Sequence, residues 1–403
     1  MTMPRRRVIL NFDLNRTVLM SDAAGGRTME NTVNYLLSEC TWGYVDAAAS
    51  RWVCVSTESS VEPPASDRPL ITYKQFVDDA LPYKSLKDAG ADELEQVKAF
   101  NKAAKKQRTA LQSAFTSADA PGASVAASFR DVMEKLHFPE GPQREAAKRV
   151  AASLPPSRLQ EAWSEGRYYL LPSFMQFLAY VADLSDKYDF KLVFRTFGDD
   201  IPEVAKELEL LVDGAHPVPL EKPLSPRFKL APSGQQVGTF YRDGYDANGT
   251  ALAVGTLTKV PFTKDVQGDA AALQSFYKEK GDDVEVIRGF GGIQEKLKEM
   301  TQQHDTIALR DYWEWWSAHA EHGDYGKLLL VDEDDKDTIS VFFDDHVEAH
   351  HAHIVDVRDV KTGAPLPFQQ SKQKKFLQRV EPFAAITDTQ YFIKLVQQIL
   401  AEH

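Results

Sequence analysis

The sequence contains few cysteines and no long hydrophobic segment. Only Cys40 and Cys54 occur among its 403 residues, and their spacing is not that of a zinc site. Every apolar run is far shorter than the roughly 20 residues that a membrane-spanning helix requires, so we expect no membrane partner. The run Val8–Leu10, which follows a basic N-terminus, is also too short for a secretory signal peptide. These absences predict a cytoplasmic protein.

Positive charge is also scarce. The chain has 59 Asp and Glu against 47 Lys and Arg, a net charge of −12 with His neutral. A field of that sign repels nucleic-acid phosphates, and the short cluster Arg5–Arg7 is no basic patch, so we expect no nucleic-acid partner. Hydrophobic residues make up 43% of the chain, which allows a large buried core. No pattern indicates an oligomeric state.

Four apolar runs predict buried β-strands, and three of them end in polar side chains. The runs are Val8–Phe12, Phe190–Phe194, Ile339–Phe343 and Ile354–Val357. The first three are followed by Asp13, by Arg195 and Thr196, and by Asp344 and Asp345, respectively. A helical pattern precedes the second run, which indicates a parallel crossover. The sequence therefore predicts an α/β fold with a parallel sheet flanked by helices, and ligands bind such sheets at the carboxyl ends of the strands.

The interval 28–167 separates the first two strands and has a different composition. It is rich in Ala, Lys, Glu and Gln, which predicts a mostly α-helical segment. We interpret it as a cap domain, with 1–27 and 168–403 forming the α/β core. An insertion at about 213–290 contains two runs, 239–245 and 251–257, that predict a small β-hairpin. The segment Ile307–His319 predicts an aromatic helix, for which core packing or a contact with the cap is favoured over a nucleotide-stacking role.

The three strand ends would form a phosphate site if the strands are neighbours. Asp13, Asp344 and Asp345 would then offer the carboxylate oxygens that Mg²⁺ prefers. The metal would offset the repulsion between an attacking carboxylate and a phosphoryl group. Thr196 lies just before a helix predicted to start after Gly198–Asp200, where backbone amides favour an anion.

A lysine would complete such a site, and the sequence offers more than one. Lys327 precedes the apolar run Leu328–Val331, which places it at the start of another predicted strand. Lys296 and Lys298 lie on a different predicted helix and are the alternatives for this role.

These residues resemble the four motifs of the haloacid dehalogenase (HAD) superfamily. The matching segments are Phe12-Asp13-Leu14-Asn15-Arg16-Thr17, Val193-Phe194-Arg195-Thr196, Lys327 and Val341-Phe342-Phe343-Asp344-Asp345. The resemblance covers roughly half of the chain. It is carried by short motifs. It implies a Rossmann-like core, with the cap domain at the position where many members insert one.

The resemblance also implies a role for each matching residue. Asp13 would be the nucleophile that forms an aspartyl-phosphate, and the backbone carbonyl of Asn15 would bind Mg²⁺. Asp344 and Asp345 would complete the metal-binding site. Thr196 and Lys327, with Arg195, would bind the substrate phosphate.

The sequence departs from the phosphatases of this superfamily at Asn15. Those enzymes usually carry a second Asp there, as general acid and base, and an amide cannot exchange a proton near neutral pH. Loss of that group lowers a rate by roughly 10² to 10⁴. His346, His350, His351 and His353 follow the fourth motif and could replace the acid or form a transition-metal site. The alternative is that they lie in an exposed loop beside the acidic cluster.

Three functions remain open at this stage. The first is a hydrolase of the HAD-like phosphatase type, or a phosphotransferase, which uses Mg²⁺ and acts slowly on a small phosphorylated molecule. The second is a binding protein that keeps the phosphate site but has little turnover, which Asn15 supports. The third is a dehalogenase or a phosphonate-type hydrolase, which also fits the missing acid.

Overall fold

The computed structural model describes residues 5–20, 28–84, 93–220, 222–242, 249–260, 270–319, 321–347 and 354–402. The strands in these residues are β1 (Arg6–Asp13), β2 (Trp42–Asp46), β3 (Arg51–Cys54), β4 (Ile71–Thr72), β5 (Tyr188–Thr196), β6 (Gly234–Arg242), β7 (Thr250–Gly255), β8 (Glu285–Arg288), β9 (Thr306–Arg310), β10 (Lys327–Val331), β11 (Thr338–Asp344), β12 (Val355–Asp359) and β13 (Leu377–Arg379). The α-helices are α1 (Met29–Glu39), α2 (Tyr73–Ala80), α3 (Leu94–Ser113), α4 (Ala126–Lys135), α5 (Pro142–Ala151), α6 (Arg158–Ser164), α7 (Pro172–Asp183), α8 (Ile201–Val212), α9 (Ala270–Lys280), α10 (Phe290–Gln303), α11 (Trp313–Ala318), α12 (Phe368–Gln373), α13 (Pro382–Thr387) and α14 (Tyr391–Glu402). Within these ranges, no helix is long and apolar enough to cross a membrane.

The chain forms two compact units. The sheet unit consists of Met1–Leu19, Glu140–Val380 and Thr389–His403. The helical unit consists of Met20–Pro139 and Glu381–Asp388. Residues 140–167, which the predicted cap includes, therefore lie in the sheet unit. The division into an HAD-like core and a cap stays a prediction.

The sheet unit is built on an eight-stranded sheet with the order β13-β11-β1-β5-β9-β6-β7-β8. From β13 to β6 all neighbouring strands are parallel, and β7 is antiparallel to both β6 and β8. β1 lies between β11 and β5, and Phe12 is in register with Phe343 on one side and Phe194 on the other. The predicted α/β fold with a mostly parallel, helix-flanked sheet is confirmed.

Alternation along the central strands buries both faces of the sheet. Phe12 points to the face covered by α7 and α14, where its ring lies 5.1 Å from that of Phe174 and 5.8 Å from that of Phe392. Val193 and Phe342 point to the other face, where α10 and the small parallel sheet β10-β12 pack. These two apolar layers fix the positions of the strand ends that carry polar side chains.

Of two further predicted elements, one is confirmed and the other is wrong in part. The predicted hairpin is confirmed in β6 and β7, although it extends the central sheet beside β9, and the connecting residues 243–248 lie outside the described residues. The predicted helix at Ile307–His319 is wrong in its first part, because Thr306–Arg310 forms the fully buried strand β9. β9 is a short apolar run and lies between β5 and β6 in the sheet, a position that favours a strand. The aromatic helix is limited to α11.

The helical unit contains α1 to α4, α13 and a three-stranded antiparallel sheet with the order β3-β2-β4. The sequence did not predict this sheet. Its strands are two to five residues long, which is too short to produce a clear alternating pattern.

Candidate functional site

The central parallel strands bring polar side chains to one edge of the sheet. Asp13, Thr196 and Asp344 are the last residues of β1, β5 and β11, and β1 lies between the other two. All three are buried. The structure therefore places together the strand ends that the sequence predicted to be neighbours.

Lys327 joins two of these carboxylates. It is the first residue of β10, and its ammonium group donates to Asp13 Oδ1 and, at 2.8 Å, to Asp344 Oδ2. Gly326 allows the chain to reach this position, because a Cβ there would lie 1.9 Å from the carbonyl oxygen of Ile354, the residue before β12. The lysine is 2% exposed, so its charge acts in a poorly solvated environment.

The burial of this cluster changes the pKa of its members. Burial and the nearby Asp344 and Asp345 carboxylates raise the pKa of Asp13 to about 7, against the opposing effect of Lys327. Burial lowers the pKa of Lys327, but Asp13 and Asp344 outweigh it and the net pKa is raised. Two carboxylates thus share one ammonium group.

Asp345 lies between two cationic groups that stabilise its charge. Its Oδ2 is 3.3 Å from Arg16 Nε, and its Oδ1 is 2.9 Å from His346 Nδ1. Burial raises the pKa of Asp345, but His346 and Arg16 lower it further, to about 2. Burial lowers the pKa of His346, but the Asp345 carboxylate raises it more, to about 9.

The geometry of this acidic corner is compatible with a metal ion. Ligand atoms of Asp344, Asp345 and His346 lie within 4.8 Å of one another. The other members of the predicted histidine cluster, His350, His351 and His353, lie outside the described residues.

Thr196 occupies the loop that leads into α8. Its Oγ1 accepts a hydrogen bond of 2.8 Å from the backbone amide of Gly198. Because the oxygen already accepts this bond, the hydroxyl hydrogen is the group that would donate to a phosphate oxygen. α8 begins at Ile201, so the predicted helix start is confirmed.

Arg195 points to a different partner from the one that the sequence suggested. Its Nε donates to Asp311 Oδ2 at 2.9 Å, and its Nη2 donates to the carbonyl of Leu328 at 2.9 Å. Both members of the Arg195–Asp311 pair are 2% exposed. Contact between Arg195 and a phosphate would have to compete with this bidentate ion pair.

Asn15 has a partner that the sequence did not reveal. Its Nδ2 donates to Asp200 Oδ2 at 3.0 Å. Asp200 occupies the N-cap position of α8. Its side chain nevertheless makes no capping hydrogen bond. No local signal distinguishes an Asp that caps a helix from one that turns towards a distant strand, so only the fold reveals this contact.

The alternative lysines of the sequence lie elsewhere in the sheet unit. Lys296 pairs with Glu285 at 2.7 Å and with Glu299 at 3.1 Å, and Lys298 pairs with Glu295 at 3.0 Å. Of the three lysines, Lys327 is the one that contacts the carboxylates at the strand ends.

Arg16 is another residue that sequence reasoning did not single out. It lies within the first motif and has a φ of 61°, a left-handed conformation that non-glycine residues adopt rarely. This conformation accompanies the contact of its guanidinium group with Asp345.

Comparisons of the chain with protein-family models, with curated proteins and with solved structures give no match.

Proposed function

We propose that this protein is an HAD-like phosphohydrolase or phosphotransferase that acts on a small phosphorylated molecule through an aspartyl-phosphate on Asp13. The observation that carries the proposal is the ammonium group of Lys327, which contacts both Asp13 and Asp344. Three segments far apart in the sequence thus contribute a carboxylate, a cation and a second carboxylate to one buried cluster. That combination is suited to holding a phosphoryl group against a nucleophile.

The donor set also fits Mg²⁺. Asp13, Asp344 and Asp345 provide hard carboxylate oxygens, and two of them share a single ammonium group, so a further cation would relieve their repulsion. When bound, Mg²⁺ would neutralise charge on the transferring phosphoryl group. The backbone carbonyl of Asn15 is the additional ligand that the HAD resemblance implies.

The protein's own residues would perform the remaining steps. A carboxylate oxygen of Asp13 would form a bond to phosphorus as the bond from phosphorus to the leaving oxygen breaks, while Lys327 and the hydroxyl of Thr196 bind phosphate oxygens. The backbone amides at the start of α8 add positive electrostatic potential beside Thr196. Thr17 Oγ1 donates to Asp13 Oδ2 at 3.3 Å, which leaves Oδ1 as the oxygen shared with Lys327.

One observation favours a second candidate, a phosphate-binding protein with little turnover. The amide of Asn15 stands where a general acid would be expected, and it is engaged by Asp200. Without a proton donor at that position, phosphate could bind without rapid turnover.

A turnover assay with a matched binding assay tests both candidates. We expect Mg²⁺-dependent release of phosphate from at least one member of a panel of phosphorylated metabolites, and no release by Asp13→Asn. Asp186→Asn, which changes an exposed turn residue, is the matched control and should retain activity. Absence of turnover, combined with Mg²⁺-dependent binding of inorganic phosphate that Thr196→Val weakens, would instead favour the binding protein.

A further inference from the structure

The side-chain amide of Asn15 has its orientation fixed by Asp200. Nδ2 donates to Asp200 Oδ2, and the reverse orientation would place two oxygens without hydrogen against each other. The amide oxygen Oδ1 of Asn15 is therefore directed away from Asp200. It is buried and has no hydrogen-bond partner among the described residues. Asn15 thus presents a hydrogen-bond acceptor that cannot give up a proton.

Asp200 does not supply the missing proton either. Its Oδ2 accepts from Asn15, and its Oδ1 accepts from the hydroxyl of Tyr169 at 3.3 Å. Arg158 Nη1 lies 2.8 Å from the same Oδ1. The carboxyl group is 1% exposed. With donors at both oxygens, this carboxylate is an acceptor, and the pair of Asn15 and Asp200 contains no acid.

The pair lies beside the predicted phosphate-binding hydroxyl. A Cβ added to Gly198 would lie 2.7 Å from Asp200 Oδ2, 3.3 Å from Thr196 Oγ1 and 3.6 Å from Asn15 Nδ2. The side chains of Thr196, Asp200 and Asn15 therefore lie around this point. Asn15 is two residues along the chain from Asp13. Within the described residues, neither member of the pair could protonate a leaving group beside Thr196.

We propose that the substrates are acyl phosphates and phosphoanhydrides, whose leaving groups depart as stable anions. This inference rests on the proposed function of Asp13. An Asp13 oxygen forms a bond to phosphorus, and the bond from phosphorus to the leaving oxygen breaks. The electron pair stays on that oxygen, which leaves as a carboxylate or phosphate anion, and no proton is transferred. An alkyl phosphate would have to release a strongly basic alkoxide, for which general acid catalysis is worth about 10² to 10⁴ in rate.

The second half of the reaction follows the same chemistry. The oxygen of a water molecule bonds to phosphorus, the bond from phosphorus to Asp13 breaks, and its electrons return to the Asp13 carboxylate. The proton of the water passes to bulk solvent. Asn15 Oδ1 can accept a hydrogen bond from this water but cannot remove its proton, so the aspartyl-phosphate should accumulate.

A leaving-group series tests the inference on the full chain with Mg²⁺. The substrates are acetyl phosphate, pyrophosphate, p-nitrophenyl phosphate, phenyl phosphate and ethyl phosphate. We expect the rate to fall steadily as the leaving group becomes more basic. Acetyl phosphate represents the acyl phosphates and pyrophosphate represents the phosphoanhydrides. The rates with these two compounds therefore distinguish the two classes of substrate.

The matched variant exchanges the two members of the pair, Asn15→Asp with Asp200→Asn. A single Asn15→Asp change would place two carboxylates against each other, whereas the exchange keeps one amide and one carboxylate. We expect the ratio of ethyl phosphate to acetyl phosphate turnover to rise by about 10² to 10⁴. Labelling with acetyl [³²P]phosphate should show a hydroxylamine-sensitive phosphoenzyme that accumulates in the natural protein and decays faster in the exchanged variant.

Different outcomes separate this inference from the proposed function. If the natural protein hydrolyses ethyl phosphate as fast as acetyl phosphate, and Asp13→Asn abolishes both, the substrate class is wrong while the role of Asp13 stands. If His346→Gln then removes only the ethyl phosphate activity, His346 is the acid and the inference is also wrong. If no compound is turned over and no label is incorporated, the proposed function fails, and the inference fails with it.

Discussion

The ammonium group of Lys327 lies 2.8 Å from the carboxylate of Asp344, although the two residues belong to different sheets of the same unit. Lys327 starts β10 in the two-stranded sheet, and Asp344 ends β11 in the eight-stranded sheet. Both side chains are almost fully buried. A buried carboxylate that loses its ammonium partner keeps a poorly compensated charge, which makes this contact a determinant of stability as well as of chemistry.

Lys327→Met should therefore destabilise the protein strongly in the absence of Mg²⁺. Loss of one partner from a buried ion pair costs about 3–5 kcal/mol, which urea unfolding followed by circular dichroism would measure. Lys298→Met, which removes a lysine that pairs with Glu295 on the surface of α10, should change the free energy of unfolding little. Combining Lys327→Met with Asp13→Asn should restore part of the loss, and a double variant as unstable as the single one would contradict the pairing.

Mg²⁺ binding should depend on the carboxylates at the end of β11. Asp344→Asn and Asp345→Asn should each weaken Mg²⁺ binding at least about tenfold in isothermal titration calorimetry, because each removes a hard anionic ligand. Asp334→Asn is the matched control, since Asp334 is an exposed acid whose carboxylate pairs with Lys361. Equal affinity in all three variants would show that the metal binds outside the candidate site.

The imidazole of His346 should titrate well above the ordinary histidine range in the metal-free protein. Desolvation lowers the pKa of His346, but the Asp345 carboxylate raises it more, to about 9. A raised pKa in the folded protein contributes stability that is complete below the unfolded value of about 6.5 and is lost as pH rises through about 9. Nuclear magnetic resonance of the histidine ring protons would measure this pKa, with His346→Gln to assign the signal.

Two perturbations should lower that pKa. Asp345→Asn removes the main charge that favours the protonated ring, and Mg²⁺ would compete with His346 for the same carboxylate. A pKa that stays near 9 in Asp345→Asn would rule out Asp345 as its cause. A pKa unchanged by saturating Mg²⁺ would argue against Asp345 as a metal ligand.

The central strands of the fold could be predicted because each is a continuous apolar run with a polar end. Val8–Phe12 and Ile339–Phe343 are of this kind, and both match strands of the structure within two residues at either end. The strand at Thr306–Arg310 was missed because aromatic residues follow it directly, and their spacing extended the predicted helix backwards. Periodicity gives no sharp boundary between two adjoining apolar elements.

The candidate site was predictable where one residue type marks a strand end, and unpredictable where a contact joins distant segments. Asp13 and Asp344 are of the first kind. The pairs of Arg195 with Asp311 and of Asn15 with Asp200 are of the second kind, because their members lie 116 and 185 positions apart. Arg195 illustrates the consequence: its position next to Thr196 suggested a phosphate contact, and its buried partner comes from the end of another strand.

Gly198 should tolerate alanine poorly, because the side chains of Asp200, Thr196 and Asn15 surround it. A Cβ at this position would lie 2.7 Å from Asp200 Oδ2, so Gly198→Ala must displace Asp200 and, with it, the amide of Asn15. We expect a loss of about 1–3 kcal/mol in the free energy of unfolding, as for other overpacked sites. We also expect a fall in kcat for acetyl phosphate.

Gly291→Ala is the control for that substitution. Gly291 lies in α10 with nothing within 4 Å of an added Cβ, so alanine there should stabilise the helix by roughly 0.5–1 kcal/mol. Opposite signs for the two variants would show that the contacts around Gly198 cause the loss, since the chemical change is the same. Equal stability of Gly198→Ala and the natural protein would mean that the loop moves freely, and the fixed orientation of Asn15 would then lose its structural basis.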